Sequence, residues 1–408
     1  MALHQRLFFL TLVLLPTQLG YHVWPEWSLV LGRRVDYLSP TVFLTDIFIL
    51  GIFASWFWQS RKKVFAHFKI PHWTVALAAV FIIGNISVSQ NVPEAMYKWV
   101  KVLEFVGLGW YVVKIRPNLS SFAFPLSIGV LYSSILAVWQ FLLQQSGGGP
   151  LWFLGERTFS ADTPGIARTL VAGRQMVRPY ATFPHPNVLG GYLAVLLPLM
   201  INLLIYKSTN LQINKKYFLW TAVTLGTVAL ILTFSRSAWI VGALGLLLVV
   251  HLAKRKTFSF VVGGIGVCLL VLAVRSVYTS LPAESESIVV RQQLNGAAIN
   301  LWQSSPLFGV GLGNFLVRLP QILPSREIYF LQPVHNIYLL VLAETGVTGL
   351  IIFGWFLWWA FHRSMKRKNF IFQLTVFILL LLGLIDHYPL TLQQGQILLT
   401  LVVAMAVQ

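Results

Sequence analysis

The sequence is short of charge. Only 10% of its 408 residues are Asp, Glu, Lys or Arg, less than half of the ~25% usual in soluble domains. Acids are scarcest: 12 against 30 Lys and Arg, for a formal net charge of +18. There is one cysteine, Cys268, inside an apolar run, which excludes an intramolecular disulfide and a thiolate metal cluster. No repeat or low-complexity tract stands out. What fills the chain is apolar: 57% of residues, with a mean hydropathy of +0.73. Such a chain is not a soluble enzyme, a disordered tail or a coiled coil. It reads as an all-α polytopic membrane protein.

A membrane span needs about 20 mostly apolar residues. Twelve segments qualify, at roughly 6–21, 40–59, 73–90, 96–114, 119–143, 187–206, 217–234, 237–253, 257–278, 336–361, 370–386 and 391–407. Met1 to Gly20 lacks a clear A-x-A cleavage site and reads as a retained signal-anchor helix. With that end inside, each even-numbered span ends in a basic cluster: Arg61–Lys62–Lys63 and Lys69; Lys114 and Arg116; Lys207, Lys215 and Lys216; Lys254–Arg255–Lys256; Arg363 and Lys366–Arg367–Lys368. None of the acids falls in these short joins. This is the positive-inside pattern. It accounts for the basic charge without a nucleic-acid or nucleotide partner.

The outer face is different. It carries eleven Arg but only Lys98 and Lys101, against six Arg and eleven Lys inside. Guanidinium is suited to forked binding of phosphate, so an anionic ligand is expected outside. The division that follows is residues 1–143 (spans one to five), 144–186 (an outer loop), 187–278 (spans six to nine), 279–335 (an outer loop with an amphipathic helix) and 336–408 (spans ten to twelve).

The two long loops carry the chemistry-bearing residues. The first opens on a flexible Ser146–Gly147–Gly148–Gly149–Pro150 break and closes on Arg178–Pro179–Tyr180–Ala181–Thr182–Phe183–Pro184–His185–Pro186–Asn187. Three prolines there cannot continue a helix, and Asn187 sits at the N-terminus of the next span, a natural anion site. The second loop has Val290, Leu294, Ala297 and Leu301 at helical spacing, with Arg291 on a neighbouring face, and reads as an interfacial amphipathic helix. Pro306–Phe315, with Gly309, Gly311 and Gly313, is a tight turn rather than a nucleotide loop, since no strand precedes it. The loop closes on His335–Asn336. Arg236, in the short Thr233–Trp239 join, lies at membrane depth, where an arginine is costly and functional by default unless it snorkels to the interface.

Together these elements resemble the O-antigen ligase and O-antigen polymerase superfamily of bacterial envelopes. The likeness covers roughly residues 178–344. It rests on Arg178 with Phe183–Pro184–His185–Pro186–Asn187, on Ser235–Arg236–Ser237, on Pro306–Phe315, and on His335–Asn336–Ile337–Tyr338–Leu339 leading to Ala343–Glu344–Thr345–Gly346. The first 140 or so residues add only spans. Ala181 stands where the pattern has a small residue, usually glycine, before Thr182.

The resemblance implies a GT-C-like glycosyltransferase of the bacterial inner membrane, with its active site on the periplasmic side. Its donor would be a glycan on undecaprenyl diphosphate. A ligase moves the glycan to a surface acceptor such as lipid A-core; a polymerase moves it to the next lipid-linked unit. It implies no cofactor and no metal, Arg for the diphosphate and His near the acceptor hydroxyl. The residues fit that chemistry. Leaving diphosphate needs positive charge and the hydroxyl needs a base. Arg178, Arg236 and His335 are the catalytic candidates; Arg291, His185, Asn187, Tyr180, Asn336 and Tyr338 are candidates for substrate binding. Asp46, Glu104 and Glu344 lie in spans and are expected to pair with Arg as structural or orienting groups. Asp386–His387–Tyr388, closing the eleventh span, is placed to line the site. A transporter is the reading from another class, but it needs a midplane site on broken, repeated helices, and here the polar motifs crowd one face.

Overall fold

The computed structural model describes residues 1–60, 71–206, 212–251, 256–278, 282–323, 331–367 and 370–408. Expectations for Arg61, Lys62, Lys63, Lys69, Lys207, Lys254, Arg255, Arg326 and Lys368 lie outside the described residues.

Each of the twelve apolar segments contains a helix: α1 (Leu3–Val13), α2 (Leu44–Ser60), α3 (His72–Ser87), α4 (Val92–Ile115), α5 (Leu119–Leu143), α6 (Pro186–Tyr206), α7 (Ile213–Leu232), α8 (Arg236–His251), α9 (Lys256–Tyr278) and, after two shorter-range elements, α12 (Ile337–Lys366), α13 (Phe370–Gly383) and α15 (Gln393–Val407). Those two elements are α10 (Pro282–Ser304) and α11 (Phe315–Ile322); a single turn, α14 (Tyr388–Thr391), precedes α15. Local chemistry sets the ends. Asn91, Asn118 and Asn336 accept backbone N–H groups at the starts of α4, α5 and α12, satisfying donors that a helix start leaves open.

Among the described residues, four helices (α5, α6, α7 and α12) are long and apolar enough to cross a membrane by length and composition, and six more are apolar but shorter. α1 is only about 16 Å long at 1.5 Å per residue, and α4 carries Glu94, Lys98, Lys101 and Glu104. Exposed large apolar side chains such as Val75, Leu77, Val80 and Ile83 on α3, and Val100, Leu103 and Val106 on α4, make an outer surface suited to lipid rather than water. α6 is the exception, 94% buried along its apolar stretch. It runs through the middle of the bundle, packed by α5, α7, α8 and α13.

A second, smaller core lies beside this bundle. Val30, Val35 and Leu38, from the segment before α2, meet Leu294, Ala297 and Leu301 of α10, Phe315, Leu316 and Leu319 of α11, and Leu340 and Ala343 of α12. The apolar stripe of α10 is therefore covered by protein, which corrects its reading as an interfacial helix. The segment before α2 is not part of a span. It folds as two antiparallel pairs, β1 (Gly20–His22) with β4 (Thr41–Phe43), and β2 (Leu29–Val30) with β3 (Arg33–Arg34). A third pair, β5 (Arg168–Val171) with β6 (Arg174–Val177), turns through Ala172 and Gly173, both at positive φ, the geometry of a tight hairpin.

α12 is broken. Gly346 sits at φ +69°, ψ −172° inside it, so residues before the break belong to the small core and those after it to the bundle. The glycine turn packs into the break: Val347 N–H donates to Pro306 O at 2.8 Å, Val310 N–H to Ala343 O at 2.9 Å and Gly311 N–H to Glu344 O at 3.0 Å. A Cβ on Gly309 would lie 2.4 Å from the Glu344 carbonyl carbon, and one on Gly346 2.3 Å from Leu307 O. The turn is filled by the protein's own backbone, the close approach that glycine permits.

Candidate active site

The two loops do not hold themselves. Gln140, buried on α5, accepts Tyr180 N–H at 2.9 Å and Ala181 N–H at 2.7 Å, and donates to Glu156 at 2.7 Å and Ala181 O at 3.0 Å. Glu156 in turn accepts Gly147 and Gly148 N–H at 2.7 and 2.8 Å. The Ser146–Pro150 stretch read as a flexible break is therefore pinned. Asn85, buried on α3, does the same for the other loop. It donates to Phe308 O and Glu344 O, both at 2.8 Å, and accepts Leu312 N–H at 3.0 Å and the Trp99 indole at 2.9 Å. Neither amide was singled out in the sequence, because a lone Gln or Asn on an apolar helix has no pattern around it.

A cavity of about 570 Å³ opens between these loops, the segment before α2 and the start of α15. Of the candidate residues, His185, Asn187 and His335 line it, and so do Asp386 and His387. Arg178 stands behind Asn187: its Nη2 donates to Asn187 Oδ1 and its Nε to Thr233 O, both at 2.7 Å. It thus ties the join before α8 to the start of α6 and keeps three of its five N–H groups. Arg236, half-buried at the first position of α8, is near enough for its charge to bear on Arg178. Burial is the main influence on Arg178; Tyr180 opposes it and Arg236 adds to it, bringing the guanidinium down to about 10, still cationic at neutral pH.

Asn187 N–H donates to His185 Nδ1 at 3.1 Å, so a neutral His185 carries its proton on Nε2. Burial first, then the Arg178 charge, takes His185 down to about 3. Among the described residues, His335 Nδ1 is buried without a hydrogen-bond partner. Its ring packs edge-on against His387, centroids 5.0 Å apart. Burial lowers His335 too, leaving a neutral imidazole able to accept a proton. Asp386, which burial alone would raise, is held below its usual range by His387, His335 and Arg291. Arg291 Nη1 donates to Ile385 O at 3.4 Å beside this group. Ligand atoms of His335, Asp386 and His387 all lie within 4.8 Å of one another, so these three side chains could also take a metal ion.

The other candidates have backbone partners. The Tyr180 hydroxyl accepts Ala167 N–H at 2.8 Å, and its ring meets His185 edge-on at 6.1 Å. The Tyr338 hydroxyl donates to Leu380 O at 3.1 Å; Asn336 caps α12 and donates to Leu384 O at 3.3 Å. None of the three lines the cavity. Among the described residues, the carboxylates in the helices form no ion pair with Arg. Asp46 and Glu104 both take Lys101, at 2.7 and 2.6 Å, and Glu344 accepts Phe315 N–H at 3.2 Å. The first 140 residues, expected to add only spans, supply His22, Asp36, Tyr37, Lys98 and Lys101 to the cavity wall.

A helical membrane protein with polar loop motifs folded against one cavity is the class this defines. Residues 220–354 match the family model Wzy_C, O-antigen ligase. That stretch, about a third of the chain, is similar to the O-antigen ligase family. Arg236, Arg291 and His335 fall inside the matched stretch; Arg178 and His185 precede it. No curated protein matches the chain at a significant level.

Proposed function

We propose that the protein is an O-antigen ligase-like glycosyltransferase that moves a glycan from undecaprenyl diphosphate to a surface acceptor such as lipid A-core, without a metal. The observation that carries this reading is that His185, Asn187 and His335 line one cavity from loops far apart in sequence, with Arg178 bonded to Asn187 behind them.

In this reading the acceptor hydroxyl attacks the anomeric carbon of the donor sugar. His335 takes the hydroxyl proton, its buried neutral ring being a base ready to do so. The bond from the anomeric carbon to the diphosphate oxygen breaks. Arg178 and Arg236 hold the charge that develops on the leaving diphosphate. Arg291 keeps positive charge beside His335 and His185; Asn187 orients Arg178. The reading takes twelve crossings in a GT-C-like arrangement, the Lys-rich joins on the cytoplasmic face of the bacterial inner membrane and the cavity on the periplasmic side. The exposed apolar helix faces support it.

The test uses the purified full chain in detergent with EDTA, the lipid-linked glycan, and lipid A-core or a second lipid-linked unit. Transfer is expected to survive EDTA and to fall by about a hundredfold or more in both Arg236→Ala and His335→Ala. Loss of transfer in EDTA, or full activity in either variant, overturns the mechanism. The acceptor that gains glycan decides ligase against polymerase.

A further inference from the structure

The cavity has a second wall that the transfer chemistry does not use. It comes from the strand pairs before α2 and from the turn after α5, neither of which belongs to the matched stretch. The two segments are locked together: Thr17 Oγ1 donates to Leu154 O at 2.7 Å, and a Cβ on Gly155 would meet Thr17 Oγ1 at 2.6 Å. Lys98 Nζ holds the wall to α4 through Tyr37 O at 2.6 Å.

Among the residues of this wall that line the cavity are Asp36, Tyr37, Trp152 and Arg157. Asp36 and Arg157 are exposed there, and among the described residues they form no ion pair with each other. A carboxylate and a forked guanidinium open to a cavity are groups that bind vicinal hydroxyls. Trp152, 56% exposed, offers a flat apolar face on which the C–H side of a pyranose can stack. The cavity is of drug-like size, larger than a diphosphate and a hydroxyl alone require. Its geometry also orders the two substrates. The Tyr37 ring lies 5.4 Å from that of His387, edge-on, and His387 packs on His335. Through His387 this wall reaches His335, whereas Arg178 stands behind Asn187.

We propose that Asp36, Tyr37, Trp152 and Arg157 form a subsite for the acceptor, holding the sugar ring whose hydroxyl attacks. The assignment rests on the transferase reading above and names the acceptor, rather than the donor, as the ligand of the N-terminal segment.

The test compares wild type with Asp36→Asn and Trp152→Ala, with Tyr21→Ser as a control on the exposed side of β1. Two readouts are taken on the full chain: binding of lipid A-core and of the lipid-linked unit by intrinsic tryptophan fluorescence or calorimetry, and steady-state transfer with each substrate varied in turn. Asp36→Asn and Trp152→Ala are expected to raise the acceptor KM by about tenfold or more, to weaken acceptor binding by the same factor, and to leave the donor KM as in wild type; Tyr21→Ser changes neither. Transfer with an unchanged acceptor KM in both variants overturns the subsite and leaves the transferase reading standing. A donor KM that rises instead also overturns it. Acceptor binding that is lost in both variants, from a wild type that transfers to neither acceptor, keeps the subsite and overturns the transferase reading.

Discussion

The two long connections bring candidate residues to the same cavity by different means. Residues 144–186 rest on side chains, with Gln140 making the most contacts, to Tyr180, Ala181 and Glu156. Residues 304–315 rest mainly on backbone: the glycine turn and the break in α12 fit into one another, and Asn85 adds to contacts that already exist, since Glu344 O also accepts Gly311 N–H. The first connection therefore depends most on a side chain, and the second on residues without side chains. The difference follows from what each must place. The first positions an arginine and a histidine on the loop itself. The second sets the position of the first part of α12, and His335 follows from where that helix begins.

The largest effect should come from the backbone fit. Gly346→Ala puts a Cβ within 2.3 Å of Leu307 O at a φ of +69°, a strain of about 3 kcal/mol or more that no rotamer relieves. Thermal unfolding in detergent should drop sharply and transfer should be lost. An alanine variant as stable as wild type would show that the turn and the break are not mutually fitted.

Gln140→Leu should come next. It strands Tyr180 and Ala181 N–H inside the protein, at about 1–3 kcal/mol for each buried group left unpaired. Asn85→Leu should cost less, because the turn keeps its backbone bonds. The comparison fails if the Asn85 variant unfolds at the lower temperature. Gln140→Leu should also weaken donor use more than acceptor use, since the loop it releases carries Arg178.

A smaller effect is tied to pH. His185 is neutral in the folded state, with its affinity for protons taken down to about 3 from the ordinary 6.5. The unfolded chain binds a proton at 6.5 that the native protein does not, so the stability from this residue is fully present above pH 6.5 and is lost progressively as pH falls towards 3. Melting temperature measured from pH 7 to pH 4.5 should fall more steeply in wild type than in His185→Gln. Parallel curves would mean that His185 is charged in the fold.

How much of this was legible in the sequence depends on periodicity. The helices could be read because apolar runs of fixed length leave a clear trace, and Arg178, His185, Arg236 and His335 stood out as polar groups at the ends of such runs. Gln140 and Asn85 did not, because one amide inside an apolar run has no spacing to compare with. Nor did the wall from Asp36 and Tyr37: strand pairs of two or three residues are too short to show alternation, and that stretch read as the approach to a span. Asp46 and Glu104 were expected to seek arginine, but the cation that reaches both is Lys101 of α4. The break at Gly346 was hidden because glycine is common in spans, and only its contact with Leu307 shows that it is required.

Ala181 is the one place where a sequence irregularity and a structural strain coincide, and it gives the smallest test. Its φ is +49°, the left-handed region that costs an L-residue about 1–2 kcal/mol, and Gln140 holds it there through both its N–H and its carbonyl. Glycine would remove that strain but would gain freedom in the unfolded chain worth about 0.5–1 kcal/mol. The net gain for Ala181→Gly is about half a kcal/mol, so a small rise in melting temperature is expected with transfer unchanged. Combined with Gln140→Leu, the glycine should recover part of the lost stability, because a loop that adopts the turn without strain depends less on the amide that enforces it. If the two substitutions merely add, Gln140 supports the loop only through its hydrogen bonds and does not hold the strained turn in place.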